Sequence, residues 1–264
     1  MNVPATTGAK QEKTIEYFSR WAKTYDEGPL KRWFTTVHRE VIRAIDPQPN
    51  DAILDVACGT GKALRAMAPL AHSGRLAGVD MSADMIEEAR QRAAEIDHLE
   101  FHVSSADQLP FDDATFNSVT VMNAFHHFPD QPKAIAEIVR VLKPGGRVCI
   151  ADMTGHVLPF PIAGNKAWNV IESVLTPQVN ALSRREFREL YRDAGLERIE
   201  QLPASQAYHR CGRYVIAAGV AQLISGIWWP WLLATGALTL LLGAGISFPY
   251  LSKTITIGRK PEEP

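Results

Sequence analysis

The sequence has few cysteines, little net charge and one long stretch without charged residues, and each scarcity excludes a class of protein. Only three cysteines, Cys58, Cys149 and Cys211, occur in 264 residues, and none lies in a Cys-x-x-Cys pair. A sparse, odd set argues against a disulfide framework and against a zinc site, and we expect no bound metal. The formal net charge of −1 excludes a strongly basic nucleic-acid-binding protein. The N-terminal residues hold no apolar signal-peptide region, which favours a cytoplasmic compartment.

The uncharged stretch spans residues 214–252, which contain no Asp, Glu, Lys, Arg or His. It holds three of the six tryptophans, Trp228, Trp229 and Trp231. The rest of the chain is about 25% charged, as in ordinary globular domains. A helix on the surface of a soluble protein normally has a polar face, and this run has none. The pattern therefore favours a membrane-associating element over a buried pair of helices.

Short apolar runs alternate with helical patterns along most of the chain. Helical segments of about 10–15 residues between strands are typical of βαβ units and a parallel sheet. A helical pattern over residues 13–45 is interrupted at Gly28-Pro29, where a break is expected. The predicted strands are residues 52–57, 75–79, 99–103, 118–122, 147–152 and 196–202, and the predicted helices between and after them are 61–71, 82–96, 131–142 and 183–194.

A glycine pair follows the first predicted strand. Gly59 and Gly61 allow a tight turn and a close approach of a ligand, and a helix N-terminus behind them favours an anionic group. Asp80 ends the second predicted strand, where an acidic residue can bind the hydroxyls of a ribose. Each feature alone is equally compatible with a structural turn or a helix cap. Together they predict an adenosine-containing cofactor.

Five motifs then occur in a recognisable order and spacing: ILDVACGTG, AGVDMSADMIEEAR, SSADQLPFDDATFNSV, NAFHHFPD and VLKPGGRVCIADMT. Together they resemble the class I S-adenosylmethionine (SAM) dependent methyltransferases, and most closely the ubiquinone/menaquinone biosynthesis C-methyltransferase-like group, over about residues 15–202. Ala57 departs from the glycine common in the superfamily, but alanine is tolerated in the resembling group. A Rossmann enzyme that binds NAD is disfavoured, because Leu64 stands where its third glycine would lie.

The resemblance implies an α/β fold, a doubly wound, seven-stranded, mostly parallel sheet of Rossmann-like type. The implied strand order is 3-2-1-4-5-7-6, with the last strand antiparallel. The uncharged run, residues 214–252, would add an apolar helical insertion or tail to this fold. Residues 253–260 alternate like a strand and resemble the family's final strand, which would make 214–252 an insertion returning to the same domain. The alternative is that residues 213–218 form strand seven and the run is a single-span C-terminal anchor.

The resemblance also implies SAM as the cofactor and assigns its contacts. Gly59 and Gly61 would lie against the methionine moiety, Asp55 would reach its ammonium group, and Asp80 would bind the ribose. Asp107 would accept a hydrogen bond from the adenine amino group. The remaining predicted cofactor-binding residues are Ala57, Met81 against the adenine, Met85, Ala106, and Asn123 and Ala124 beside the methionine.

Tyr25 and Asp26 match the Tyr-Asp signature of an N-terminal lid in the resembling enzymes, which would exclude water from the site. The sulfonium of SAM already activates the methyl group, so positioning is the protein's main contribution. His126 is the first candidate for orienting or deprotonating the acceptor, and Asp152 is the second. The predicted catalytic residues are therefore His126, Asp152 and Tyr25. Each has a structural alternative, a loop-stabilising histidine pair for His126 and an ordinary aromatic contact for Tyr25.

Four segments are expected: a helical lid (1–45), a SAM-binding methyltransferase domain (46–213), a hydrophobic membrane-associating segment (214–252), and the final strand with a tail (253–264). The leading hypothesis is methyl transfer to a lipophilic acceptor, a quinone precursor or lipid, at the cytoplasmic face of a membrane. One alternative is a soluble small-metabolite methyltransferase that uses the apolar segment for dimerisation. A second is a SAM-binding protein without catalytic activity.

Overall fold

Seven strands form the centre of the computed structural model, which describes residues 6–27, 31–154, 180–203 and 253–262. The central strands are largely buried apolar runs, because a parallel sheet covered on both faces buries both sides of its strands. The strands are β1 (Ala52–Val56), β2 (Arg75–Asp80), β3 (Leu99–Val103), β4 (Phe116–Met122), β5 (Leu142–Met153), β6 (Glu197–Pro203) and β7 (Lys253–Arg259).

Helices pack around this sheet. Several begin at a capping side chain; Ser82, for example, accepts a hydrogen bond from the backbone nitrogen of Met85 at the start of α4. The helices are α1 (Thr6–Trp21), α2 (Lys31–Ile45), α3 (Lys62–Met67), α4 (Ala83–Arg92), α5 (Gln131–Val141) and α6 (Arg184–Asp193), with 3₁₀ turns at Ala22–Thr24 and Phe125–His127.

The sheet has the order β3-β2-β1-β4-β5-β7-β6, as the sequence predicted. β1 pairs in parallel with β2 and β4, β2 with β3, and β4 with β5. β7 pairs antiparallel with both β5 and β6. Because the strand order reverses between β1 and β4, a crevice is expected beyond the carboxyl ends of these two strands.

Two strands begin earlier than the apolar pattern predicted. β4 starts at Phe116 rather than at residue 118, and β5 starts at Leu142 rather than at residue 147. Phe116 pairs with Leu142 across a register irregularity between Phe116 and Ser118. The Lys-Pro-Gly-Gly sequence of β5 reads as a turn in isolation, but this pairing brings it into the strand. The helix α3 is shorter than predicted and ends at Met67 rather than at residue 71.

The N-terminal region predicted as a lid has two parts with different surroundings. Val37, Val41 and Ile45 of α2 are completely buried in one of the two hydrophobic clusters of the domain. α2 therefore belongs to the layer that covers the sheet. α1 instead lies beside α4 and the carboxyl ends of the strands, where Ser19 hydrogen-bonds to Ser82.

β7 shows where the chain returns after the uncharged run. Lys253–Arg259 lies between β5 and β6, and Pro203 at the end of β6 pairs with Thr254. The alternative of strand seven at residues 213–218 is therefore wrong, because that position in the sheet is occupied by β7. The run 214–252 itself lies outside the described residues. Among the helices that are described, none is long and apolar enough to cross a membrane.

Candidate active site

A cleft lies beyond the carboxyl ends of β1, β2 and β4. It encloses about 780 Å³ of empty space that opens to solvent, and a second chamber of about 410 Å³ adjoins it. The two spaces share five lining residues, Tyr25, Ala57, Gly59, Met122 and Asn123.

The predicted cofactor-binding residues converge on this pair of spaces, with one exception. Asp55 lines the smaller chamber, while Gly61 lines neither. The backbone φ of Gly61 is +69°, and an added Cβ would lie 2.5 Å from the Phe101 ring. Gly61 therefore allows the turn into α3 and packs against Phe101, and it does not face the ligand space formed by the described residues. The members that line the larger cleft are Ala57, Gly59, Asp80, Met81, Met85, Ala106, Asp107, Asn123 and Ala124.

Asp80 is held at the edge of the cleft by the backbone around it. The backbone nitrogen of Gly59 donates to its Oδ2 over 3.0 Å, and that of Ser82 donates to its Oδ1 over 2.9 Å. Burial raises the pKa of Asp80, and these amide hydrogen bonds oppose that shift. Each carboxylate oxygen accepts only one of these two hydrogen bonds, and a carboxylate can accept about four. Asp80 thus suits a pair of ribose hydroxyls.

Asp55 lies deeper, at the wall of the smaller chamber. Its residue is 2% exposed, and its Oδ1 accepts a hydrogen bond of 2.6 Å from the Thr120 hydroxyl. Burial raises the pKa of Asp55 to about 7, against the opposing effect of the Thr120 hydrogen bond. A cation entering the chamber would favour the ionised form. Asp55 is therefore suited to an ammonium group.

Asp107 lines the larger cleft. The Ser105 hydroxyl donates to its Oδ1 over 2.5 Å, and Lys133 Nζ donates to its Oδ2 over 3.2 Å. The Ser105 hydrogen bond, followed by the contact with Lys133, holds the pKa of Asp107 below its ordinary value. A carboxylate that stays ionised can accept a hydrogen bond from an amino group such as that of adenine.

Tyr25 lies between the cleft and the smaller chamber and lines both. Its ring packs over the glycine turn, 3.8 Å from the position of a Cβ on Gly59. Burial, with a further effect of the Asp80 charge, raises the pKa of Tyr25. The phenol is therefore protonated at neutral pH and can donate a hydrogen bond into the site.

Polar contacts attach the wall formed by α1 and Tyr25 to the rest of the cleft. Gln11 Nε2 lies 2.9 Å from the sulfur of Met81, and the hydroxyls of Ser19 and Ser82 are 2.8 Å apart. Asp26 accepts hydrogen bonds from Arg92 over 2.8 Å and from the Thr60 hydroxyl over 2.9 Å. The signature Tyr-Asp pair thus joins the N-terminal segment to the glycine loop and to α4.

His126 and Asp152 form a buried pair behind the cleft. The backbone nitrogen of His126 donates to Asp152 Oδ2 over 2.7 Å, and His126 Nδ1 lies 2.6 Å from Asp152 Oδ1. They are 6% and 1% exposed, and neither lines the cleft formed by the described residues. The neighbouring His127 does line it, with its ring centroid 4.0 Å from that of His126. The catalytic roles of His126, Asp152 and Tyr25 stay predictions.

Several lining residues were not identified from the sequence. Thr14 and Phe18 of α1 line the larger cleft, and His38 of α2 and Lys62 of α3 line the smaller chamber. Lys62 directly follows the glycine loop, and that position was a usable signal. The others lie more than 20 residues from the loop in sequence, and only the packing of α1 and α2 brings them to the site.

Comparison with known proteins agrees with this geometry. Residues 54–150 match a family model described as a methyltransferase domain. A demethylmenaquinone methyltransferase of Symbiobacterium thermophilum is 37% identical over 159 residues, which are 56% of this chain and 62% of the relative. One of Bacillus cereus (strain B4264) is 28% identical over 221 residues, 74% of this chain and 92% of the relative.

A solved structure shares the fold. The phosphoethanolamine N-methyltransferase 2 of Haemonchus contortus, in complex with phosphomonomethylethanolamine and S-adenosylhomocysteine, superimposes with a TM-score of 0.61 at 20% identity. The match covers 85% of this chain and 52% of that one. Residues 54–150 are therefore similar to a methyltransferase domain, as the motifs implied, and the glycine loop, Asp80 and Asp107 fit SAM as a cofactor.

Proposed function

We propose that this SAM-dependent methyltransferase transfers the methyl group to a lipophilic acceptor of the quinone-precursor type at the surface of a membrane. The observation that carries the proposal is the alignment with the Bacillus cereus demethylmenaquinone methyltransferase, which covers 92% of that relative. An alignment of this length extends beyond the matched domain at residues 54–150. It therefore includes more than the segments that bind the cofactor.

On the cofactor side, the chain's residues bind and orient. SAM supplies a methyl group already activated by its sulfonium, so the enzyme gains most by alignment and exclusion of water. Asp80 binds the ribose, Asp107 the adenine edge, and Asp55 the ammonium. Tyr25 covers the glycine turn from the side of α1 and keeps water from the reacting centre.

On the acceptor side, the described wall of the cleft suits a flat aromatic ring. Phe18 and His127 meet edge to face with ring centroids 5.4 Å apart, and Phe128 and Met122 also line the cleft. Aromatic rings favour edge-to-face and offset contacts with one another. We propose that His127 orients the acceptor and takes a proton from it where one must leave. The buried His126–Asp152 pair then acts as a positioning group behind His127.

The uncharged run supports the membrane part of the proposal. It lies between Pro203 and Lys253, which border neighbouring, paired strands. Pro203 and Lys253 therefore lie on one side of one domain, and a membrane-associated run between them would enter and leave the bilayer on that side. Basic residues flank it, Arg210 and Arg213 before and Lys253 and Arg259 after, which favours the cytoplasmic side.

The activity is tested with radiolabelled SAM and demethylmenaquinone in phospholipid vesicles, followed by identification of the labelled product. We expect label in the quinone, and roughly 100-fold less turnover in His127→Phe, because proton transfer by a placed side chain contributes ~10²-fold or more. His72→Phe, an exposed histidine outside the cleft, is the matched control. Label in phospholipid, or in no lipid but in a small soluble metabolite, would contradict the proposed acceptor.

The membrane part has its own variant. Because Pro203 and Thr254 are paired, residues 204–252 can be replaced by a hairpin linker of about four residues, a common loop length between antiparallel strands. We expect this variant to bind SAM as the full chain does but to lose co-sedimentation with vesicles. If the run serves dimerisation instead, the variant becomes monomeric and vesicle binding is absent in both forms.

A further inference from the structure

The smaller chamber places a lysine and a carboxylate on the walls of one space. We propose that Lys62 binds the carboxylate of the cofactor's methionine moiety, while Asp55 binds its ammonium group. Both residues line the chamber of about 410 Å³, together with Tyr25 and Asn123. None of the motifs that identified the cofactor site assigned a partner to that carboxylate.

Lys62 is the first residue of α3 and directly follows Gly61, whose left-handed backbone turns the chain into the helix. The position is therefore fixed by the same turn that forms the cofactor loop. The Lys62 side chain is 22% exposed, so a charge at its tip is only partly screened by water. A charged lysine at this position can donate to an anion that enters the chamber.

Asp26 forms an ion pair with Lys62 at the wall of the chamber. Lys62 Nζ lies 3.9 Å from Asp26 Oδ1, which is within ion-pair range but too long for a hydrogen bond. The other oxygen of Asp26 is approached by Arg92 at 2.8 Å and by Arg65 at 3.5 Å. The two arginines do not line the chamber, whereas Lys62 does.

The ligand's own chemistry explains why this arrangement is useful. The ammonium and carboxylate of an amino acid are attached to the same carbon, so their partners must lie close together and carry opposite charges. Asp55 and Lys62 carry opposite charges and line one chamber next to the glycine loop. His38 lines the same chamber and is the other cationic side chain that could face the carboxylate when protonated.

The test compares equilibrium binding of SAM with that of decarboxylated SAM, which keeps the sulfonium and the ammonium and lacks only the carboxylate. Calorimetry without an acceptor measures both dissociation constants in the full chain and in Lys62→Met. We expect Lys62→Met to weaken SAM binding by about tenfold or more, the usual effect of losing a charge-assisted hydrogen bond. Binding of decarboxylated SAM should change by less than about twofold.

Three further variants separate the alternatives. Lys62→Arg should restore most of the preference for SAM, whereas Lys13→Met, an exposed lysine of α1, should leave both constants unchanged. Equal weakening of both ligands by Lys62→Met would assign Lys62 a purely structural role and overturn the proposal, as would unchanged SAM binding. Selective loss of SAM binding in His38→Asn, with Lys62→Met unaffected, would move the assignment to His38 and overturn it also.

Discussion

The floor of the cleft is formed by the carboxyl ends of β1, β2 and β4 with the glycine loop, and its backbone is fixed by the parallel sheet. The opposite wall is formed by α1 and Tyr25, and side-chain contacts attach it to the rest of the domain. Asp55 lies inside β1, between its backbone partners Gly78 in β2 and Thr120 in β4. The contacts between α1 and the floor are different in kind, since Gln11 reaches Met81 and Ser19 reaches Ser82 through single side-chain hydrogen bonds. The floor can therefore move only if the sheet is disrupted.

The difference indicates how a ligand enters. Local opening has the lowest free energy where few buried contacts and few backbone hydrogen bonds are lost. Releasing α1 and the Tyr25 segment breaks polar contacts that water can replace and the ring contacts of Phe18 and Tyr25, while the Asp80 carboxylate keeps its two backbone donors. We infer that the floor is preformed for the cofactor and that the α1 wall opens and closes over it.

The largest effect is expected from a change in the floor. Asp80→Ala removes the acceptor for the ribose and leaves the backbone nitrogens of Gly59 and Ser82 without their partner. We expect binding of SAM to weaken by about 100-fold, because hydrogen bonds to a charged group contribute about 1.5–3 kcal/mol each. Calorimetric titration measures the loss. Asp97→Ala, an exposed aspartate before β3, is the control, and an Asp80→Ala protein with unchanged affinity would refute the ribose assignment.

The two glycines of the loop give a sharper test of the floor, since they face different surroundings. A Cβ on Gly61 would lie 2.5 Å from the buried Phe101 ring, while on Gly59 its nearest neighbour is 3.8 Å away. Gly61→Ala should lower the free energy of unfolding by about 2–4 kcal/mol, from left-handed strain and overpacking together. Gly59→Ala should cost about 1 kcal/mol from strain alone. Urea denaturation measures both, and equal losses would contradict the packing role of Gly61.

The same contrast explains what could be predicted from the sequence. The floor follows from local signals: apolar runs, a glycine turn and an acidic residue at a strand end lie within 30 residues of one another. The wall does not, because Phe18 lies far from the glycine loop in sequence and only the packing of α1 brings it to the cleft. His38 likewise reaches the smaller chamber only through the packing of α2. The sequence also does not reveal which of two adjacent histidines faces the cleft. His126 and His127 lie in one 3₁₀ turn, and of these two only His127 lines the cleft.

The pH dependence of cofactor binding is the next test of the floor. The pKa of Asp55 is raised to about 7, so in the ligand-free protein this carboxyl is largely protonated below neutrality. Ammonium binding favours the ionised form, and the affinity for S-adenosylhomocysteine should therefore rise as the pH increases towards about 7 and then level off. Proton release on binding, measured by calorimetry in buffers of different ionisation enthalpy, should approach about one proton at acidic pH.

The free energy of unfolding of the ligand-free protein should change with pH in the opposite direction, falling as the pH rises. A carboxyl whose folded-state pKa is raised contributes stability that is complete below its unfolded pKa and is lost as the pH rises through about 7. The raised pKa of Asp80 acts in the same direction.

Asp55→Asn keeps the hydrogen-bonding shape of the side chain but cannot ionise. It should therefore remove most of the proton release that accompanies ligand binding. A variant that releases as many protons as the parent would show that another group, such as His38, is responsible.

The smallest effect is expected in the wall, at Asp26. Its side chain is 13% exposed and is shared among Arg92, Arg65 and Lys62, so Asp26→Asn removes the charge that attaches the Tyr25 segment to α3 and α4. We expect SAM binding to weaken about fivefold, the effect of about 1 kcal/mol for a partly screened ion cluster. The free energy of unfolding should change little, since the sheet is untouched.

The affinity of the parent protein for SAM should fall with added salt, while the affinity of Asp26→Asn should depend less on salt. Limited proteolysis should cut the variant faster within α1 than within the sheet. If instead the whole domain unfolds at lower urea concentration and cleavage is uniform, Asp26 supports the floor as well, and the distinction between a preformed floor and an opening wall fails.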